Sequence, residues 1–182
     1  LDSNLARERI LDCLKRQFED GNPIRMFEPD YLYPYNDGAA WIPMTVLSYI
    51  RESGDIGILW EKIPYLEGYS NKETSFDTPV VKFRPYRGTK YEETVLEHVR
   101  KGLEYLYSCR GERGLVKFLG GDWNDSLNNV GRLGKGESVW LSIATVKAIK
   151  EYIEILYLAE QSEEIKVWDL RVKELADNIL KH

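Results

Sequence analysis

Asp122, Trp123, Asn124 and Asp125 stand in one unbroken row, placing two carboxylates, an indole and an amide within four residues. This is sugar-site chemistry: carboxylates and amides bond hydroxyls, and an indole covers the apolar C–H face of a pyranose. The row belongs to residues 119–141, in which Gly120, Gly121, Gly131, Gly134 and Gly136 allow positive φ and a close backbone approach to a ligand. Asp and Asn also favour turns by bonding their own backbone, and a loop Trp can simply plug the core. Composition alone does not separate these readings. The run Gly134–Ser138 precedes the most apolar helix of the chain. Its free N–H groups, with the charge of Lys135, could bind an anion; ordinary capping, with Glu137 favourably placed at a helix N-terminus, accounts for the same residues.

A second aromatic and acidic stretch lies upstream, where Tyr31, Tyr33 and Tyr35 alternate ahead of Asn36, Asp37 and Gly38. It suits a sugar-binding rim, and equally a loop packed by its own aromatics. His98, alone in a helical pattern with no second ligand at i+4, reads as a surface or boundary residue and stays outside the site. Cys13 and Cys109 have no paired spacing, so neither a disulfide framework nor a metal site is indicated. With 25 Lys and Arg against 30 Asp and Glu, a net charge of −5 and no basic stripe, nucleic acid is not an expected partner. No apolar run reaches the ~18 residues of a membrane span, and no signal-peptide core is visible, so a cytoplasmic chain is expected.

The elements that must position these residues are mostly helices. Ile10, Leu11, Leu14 and Phe18 predict a helix over 3–20, capped by Ser3 or Asn4 and stopped by Gly21. A second runs from about Ala39 to Gly54, and a shorter one, capped by Asp55, from Ile56 to a stop at Pro64. Residues 68–88 predict an extended excursion with one strand near Pro79–Phe83. Thr89 with Glu92 predicts a capping box for a helix through Leu106. The helix from Glu137 to Ala159 is apolar on most sides and implies broad burial, whereas the last, from Ser162, carries a single apolar stripe.

The string Gly-Asp-Trp-Asn-Asp-Ser-Leu-Asn at 121–128, with Val-Gly at 130–131 and Gly-Lys-Gly-Glu-Ser-Val-Trp-Leu at 134–141, closely resembles the active-site segment of glycoside hydrolase family 94. That family contains cellobiose, chitobiose and cellodextrin phosphorylases and the phosphorylase-like part of cyclic β-1,2-glucan synthases. Ser126 stands where members commonly have Gly. Trp41 and the run Arg51-Glu52-Ser53-Gly54-Asp55 match a second family pattern, in which two adjacent Asp residues before the Trp bind the donor sugar; here they are Asp37 and Gly38.

The resemblance implies an all-α fold, part of an (α/α)6 six-hairpin barrel interrupted by the excursion at 68–88. Closing such a barrel takes more than twice the helices visible here and well over ~300 residues. Residues 1–182 are therefore expected to be a partial catalytic domain lacking the C-terminal remainder, a reading to which the initial Leu1 contributes. The implied reaction is inverting phosphorolysis of a β-linked gluco-oligosaccharide to α-glucose 1-phosphate, with inorganic phosphate as co-substrate and neither cofactor nor metal. Asp125 takes the place of the general acid; Asp37, Asp122, Trp123, Asn124, Lys135 and Glu137 are the candidate substrate-binding residues. The family's phosphate-holding residues lie downstream of this segment. Expected partners are oligosaccharide, phosphate or sugar 1-phosphate, the rest of the barrel and, in the full-length protein, a second copy as homodimer. Two alternatives remain: a six-hairpin glycoside hydrolase, with Asp37 as second carboxylate, and a non-catalytic carbohydrate-binding or assembly module.

Overall fold

The computed structural model describes residues 2–68, 80–82 and 86–182. Helix α1 spans Ser3–Leu14 and is capped by Asp2, whose carboxylate accepts from the N–H groups of Asn4 and Leu5 at 3.0 and 3.2 Å. The cap thus falls before Ser3, and the helix ends well short of Gly21. It ends because the following backbone is drawn elsewhere: Phe18 N–H donates to Asn22 O at 3.0 Å and Leu66 N–H to Gln17 O at 2.8 Å. Phe18 is then buried with Ile24, Leu32 and Leu66 in a satellite cluster apart from the main core.

Helix α2, Gly38–Ser53, follows its expected course and stops at Gly54, which takes φ 72°. Beyond it the expected short helix is only a 3-10 segment, Ile56–Trp60. Asp55 makes no side-chain cap; its carboxylate instead accepts from Tyr49 Oη at 2.8 Å and Arg7 Nε at 3.1 Å. Pro64 lies inside strand β2, Lys62–Leu66, which pairs antiparallel with β4, Gly88–Thr94. A two-stranded sheet has only edge strands, where a proline is tolerated. Strand β1, Asp30–Leu32, pairs antiparallel with β3, Val80–Lys82, so the extended excursion closes onto the segment before α2. Its remainder, 69–79 and 83–85, lies outside the described residues.

The capping box also moves. Thr94, not Thr89, caps helix α3, Val95–Ser108, its hydroxyl accepting from Glu97 N–H at 3.2 Å, because Thr89 is taken up in β4. Helix α4 spans Val139–Leu158, and a 3-10 turn, Ser162–Glu164, leads into α5, Ile165–Lys181. The chain is mostly helical: α2 and α4 lie side by side, α3 packs behind both, α5 behind α4, and α1 against α2. Leu47, Ile50, Leu103, Leu106, Leu141, Ile149 and Trp168 share the core between them. The broad burial expected of α4 is realised on one side only. Trp140, Ile143, Tyr157 and Leu158 remain exposed.

Candidate functional site

Two loops that lie far apart in sequence are laced together at the start of α2 and α4. Gly120 N–H donates to Pro34 O and Asn36 N–H to Gly121 O, both at 2.9 Å. Asn36, fully buried, ties the pair down by donating from Nδ2 to Lys117 O at 2.7 Å. The base of the second loop is a short antiparallel ladder, with Phe118 N–H on Gly136 O and Ser138 N–H on Val116 O, each at 2.8 Å. Residues 119–135 are therefore a closed excursion from a fixed stem. Gly131 serves the loop's own packing, since a Cβ there would lie 1.6 Å from Leu119 O; Gly120 and Gly121 pass close to Pro34 and Tyr35 of the first loop, and Gly134 holds φ 67°. The close approach at Gly131 is to the Leu119 backbone.

This lacing brings Asp37 and Asp122 into one site. Asp37 ends the first loop and accepts from Trp41 Nε1 at 3.2 Å. Burial pushes its carboxyl upward; the Trp41 bond and the charge of Arg25 pull the other way, while the charge of Asp122 adds to the rise. Asp122 is 2% exposed and accepts from Ser138 Oγ at 2.5 Å and from Asn124 N–H at 2.9 Å. One residue on, Trp123 is 69% exposed. Asn124 is exposed as well, and Asp125 opens the 3-10 segment Asp125–Val130. The Asp125 side chain lies outside the described residues.

Trp123 does not stand alone. Its ring centroid lies 6.0 Å from Trp41 and 6.4 Å from Trp140, and the latter two are 6.3 Å apart. All three are partly open to solvent, a cluster of indoles at the first turns of α2 and α4. Beside it opens a cavity of 770 Å³ lined in part by Asp37, Trp41, Trp123, Arg16, Arg25 and Tyr35. Indole faces with a few converging polar groups suit a sugar ring. The sequence reading missed Trp140, because at helical spacing it looks like any core residue of α4. It also missed Ser138, whose signal is its position as the cap of that helix.

Lys135 and Glu137 fall differently. Helix α4 begins only at Val139, and its Leu141 N–H is met by Ser138 Oγ at 3.0 Å, so Gly134–Gly136 precede the first turn. Lys135 is exposed. The Glu137 side chain is 4% exposed and turned into the protein, accepting from the N–H groups of Arg113 and Leu115 at 3.0 and 3.2 Å and pairing with the Arg113 guanidinium. Its carboxylate thus closes the turn before the ladder.

Comparison with known proteins gives the family. The family described as the catalytic domain of the glycosyl hydrolase 94 superfamily matches residues 1–182, and the chain belongs to that family. A solabiose phosphorylase of Paenibacillus borealis is 38% identical over 83% of this chain and 17% of its own length. A cellobionic acid phosphorylase of Neurospora crassa is 30% identical over 67% of the chain and 13% of its own length. The cyclic β-(1,2)-glucan synthase NdvB of Rhizobium meliloti is 28% identical over 95% of the chain and 6% of its own length. The chain thus spans less than a fifth of the length of these relatives.

Proposed function

We propose that this chain is the acid-bearing part of an inverting carbohydrate phosphorylase. The observation that carries the reading is residues 121–125 in a family 94 domain, held beside Asp37 and an indole cluster that opens onto a cavity. A β-linked gluco-oligosaccharide lies against Trp123, Trp41 and Trp140. A phosphate oxygen attacks the anomeric carbon as the glycosidic C–O bond breaks, and Asp125 gives its proton to the departing oxygen. The products are α-glucose 1-phosphate and the shortened sugar. Phosphate is already an anionic nucleophile, so no second carboxylate is needed to activate it. Asp37, which accepts from Trp41 Nε1, bonds a sugar hydroxyl in this reading. The solvent-exposed apolar residues of α4, Ile143 and Tyr157 among them, fit an inner helix of an (α/α)6 barrel completed by further helices.

The test is phosphate release from glucose 1-phosphate with glucose and glucobiose acceptors, using the natural polypeptide that carries this sequence. Phosphate release dependent on an acceptor is expected. Reducing sugar released from glucobiose without phosphate would point to a hydrolase, and sugar binding without turnover of either kind to a binding module.

A further inference from the structure

We propose that Ser138 is a positioning residue for the site, acting through Asp122. The inference rests on the phosphorylase reading and deepens it. A serine hydroxyl has one proton to give and lone pairs to accept with, and Ser138 uses both: it donates to Asp122 Oδ2 at 2.5 Å and accepts from Leu141 N–H at 3.0 Å. The residue is 7% exposed and its backbone is fixed on both sides, N–H to Val116 O at 2.8 Å and carbonyl from Ser142 Oγ at 2.7 Å. Val116 N–H in turn donates to Ser142 Oγ at 2.9 Å, which locks the first turn of α4 to the stem of the loop. The hydroxyl therefore starts from a backbone held on both sides.

From there the order passes outward. The other oxygen of Asp122 accepts from Asn124 N–H at 2.9 Å, setting the direction in which the chain leaves Trp123 and enters Asp125. Both described bonds of Asp122 are made inside the protein, and the residue is 2% exposed. Of the two carboxylates in the row, Asp122 holds the loop and Asp125 is left for proton transfer. An error of about 1 Å in such placement costs up to ~100-fold in rate.

The decisive set is Ser138→Gly, Ser138→Thr, Asp122→Ala and the double variant Ser138→Gly with Asp122→Ala, all in the natural polypeptide. Gly is a tolerable N-cap, so Ser138→Gly removes the hydroxyl at little cost to the helix. Phosphorolysis should show kcat lowered roughly 10- to 100-fold with KM within about twofold, restored within about threefold by Ser138→Thr. The double variant should be no worse than Asp122→Ala alone, since residues acting through one another are not additive. Multiplicative effects, or an unchanged kcat in Ser138→Gly, would overturn the proposal and leave Ser138 a helix cap only.

Amide exchange gives a readout independent of activity and of whether Asp122→Ala folds. In Ser138→Gly the amide of Asn124 should exchange at least about tenfold faster while those in the middle of α4 keep their protection. Unchanged exchange at Asn124 would also overturn the proposal. A wild-type protein without phosphorolysis would instead refute the function, and exchange would still decide the role of Ser138.

Discussion

Two polar clusters in this chain each set an acidic side chain beside aromatic rings and end in opposite states. Around His98, every group turns inward. The imidazole is fully buried, with Nδ1 2.7 Å from Gln17 Oε1 and Nε2 3.1 Å from Ile63 O, and stacks on Tyr65 at a centroid distance of 4.0 Å. Tyr65 donates to Glu93 at 2.6 Å, and Lys101 pairs with the same carboxylate at 2.7 Å. Around Asp122 the carboxylate is equally buried, but its neighbour Trp123 stands out over an open cavity. The difference lies in the backbone. His98 sits near the start of α3, whose N-cap Thr94 ends the β2–β4 pair, whereas Asp122 lies in a loop excursion that leaves a fixed stem. Aromatic side chains beside a buried carboxylate stay open to solvent where regular structure stops.

The contrast predicts that breaking the closed cluster harms the fold and spares the chemistry. The largest effect on stability is expected from His98→Ala, about 3 kcal/mol, from a lost packed ring together with the unpaired Gln17 and Ile63 groups. Thermal or denaturant unfolding of the natural polypeptide checks it, and kcat per folded molecule should be unchanged. A fall in kcat without loss of stability would erase the distinction between the clusters.

The same residue sharpens the contrast through pH. Burial lowers the His98 pKa to about 4, with the Ile63 carbonyl and Glu93 opposing. The unfolded chain, with an imidazole near pH 6.5, binds a proton more readily than the folded one throughout the window between these values. Stability should therefore fall as pH drops from about 6.5 to 4, by up to about 3 kcal/mol in total, and His98→Gln should flatten this slope. Denaturant midpoints across that range measure it; a slope that survives in His98→Gln would assign it to another group.

On the open side the expected effect is on ligand affinity. Trp140→Ala should weaken oligosaccharide binding by roughly tenfold, about 1.4 kcal/mol, through loss of one face of the indole cluster. Calorimetric titration or KM would show it, and unchanged affinity would confine the sugar to Trp123 and Trp41. The smallest effect belongs to neither cluster. Arg51→Ala breaks a bidentate but solvent-exposed pair with Glu154 and should cost less than ~1 kcal/mol by unfolding.

Much of this was legible in the chain because its cues are local. The helix from Ala39 to Gly54 and the apolar one after Glu137 announced themselves by periodicity and by their end residues, and the row 121–125 by its resemblance to a family string rather than by composition. What was not legible depends on partners distant in sequence. Pro64 marked a stop, yet it lies in a strand, because β4 arrives from more than twenty residues away to pair with it. Thr89 and Glu92 satisfied the capping pattern as well as Thr94 and Glu97 do, and pairing with β2 decided between them. Glu137 read as a carboxylate at a helix N-terminus, for capping or for substrate. The turn at 110–115, closing on it, drew it inward. Nothing local marked Ser138 as more than a cap, because its second partner sits sixteen residues earlier.

The central claim is that the open cluster carries an acid, and that the acid is Asp125. Phosphorolysis by Asp125→Asn in the natural polypeptide tests it most directly, with unfolding followed alongside. The account predicts a loss of kcat of about 10²- to 10⁴-fold, the usual contribution of a general acid, with the unfolding midpoint unmoved. Full phosphorolysis retained by Asp125→Asn would contradict it and remove the acid from this loop.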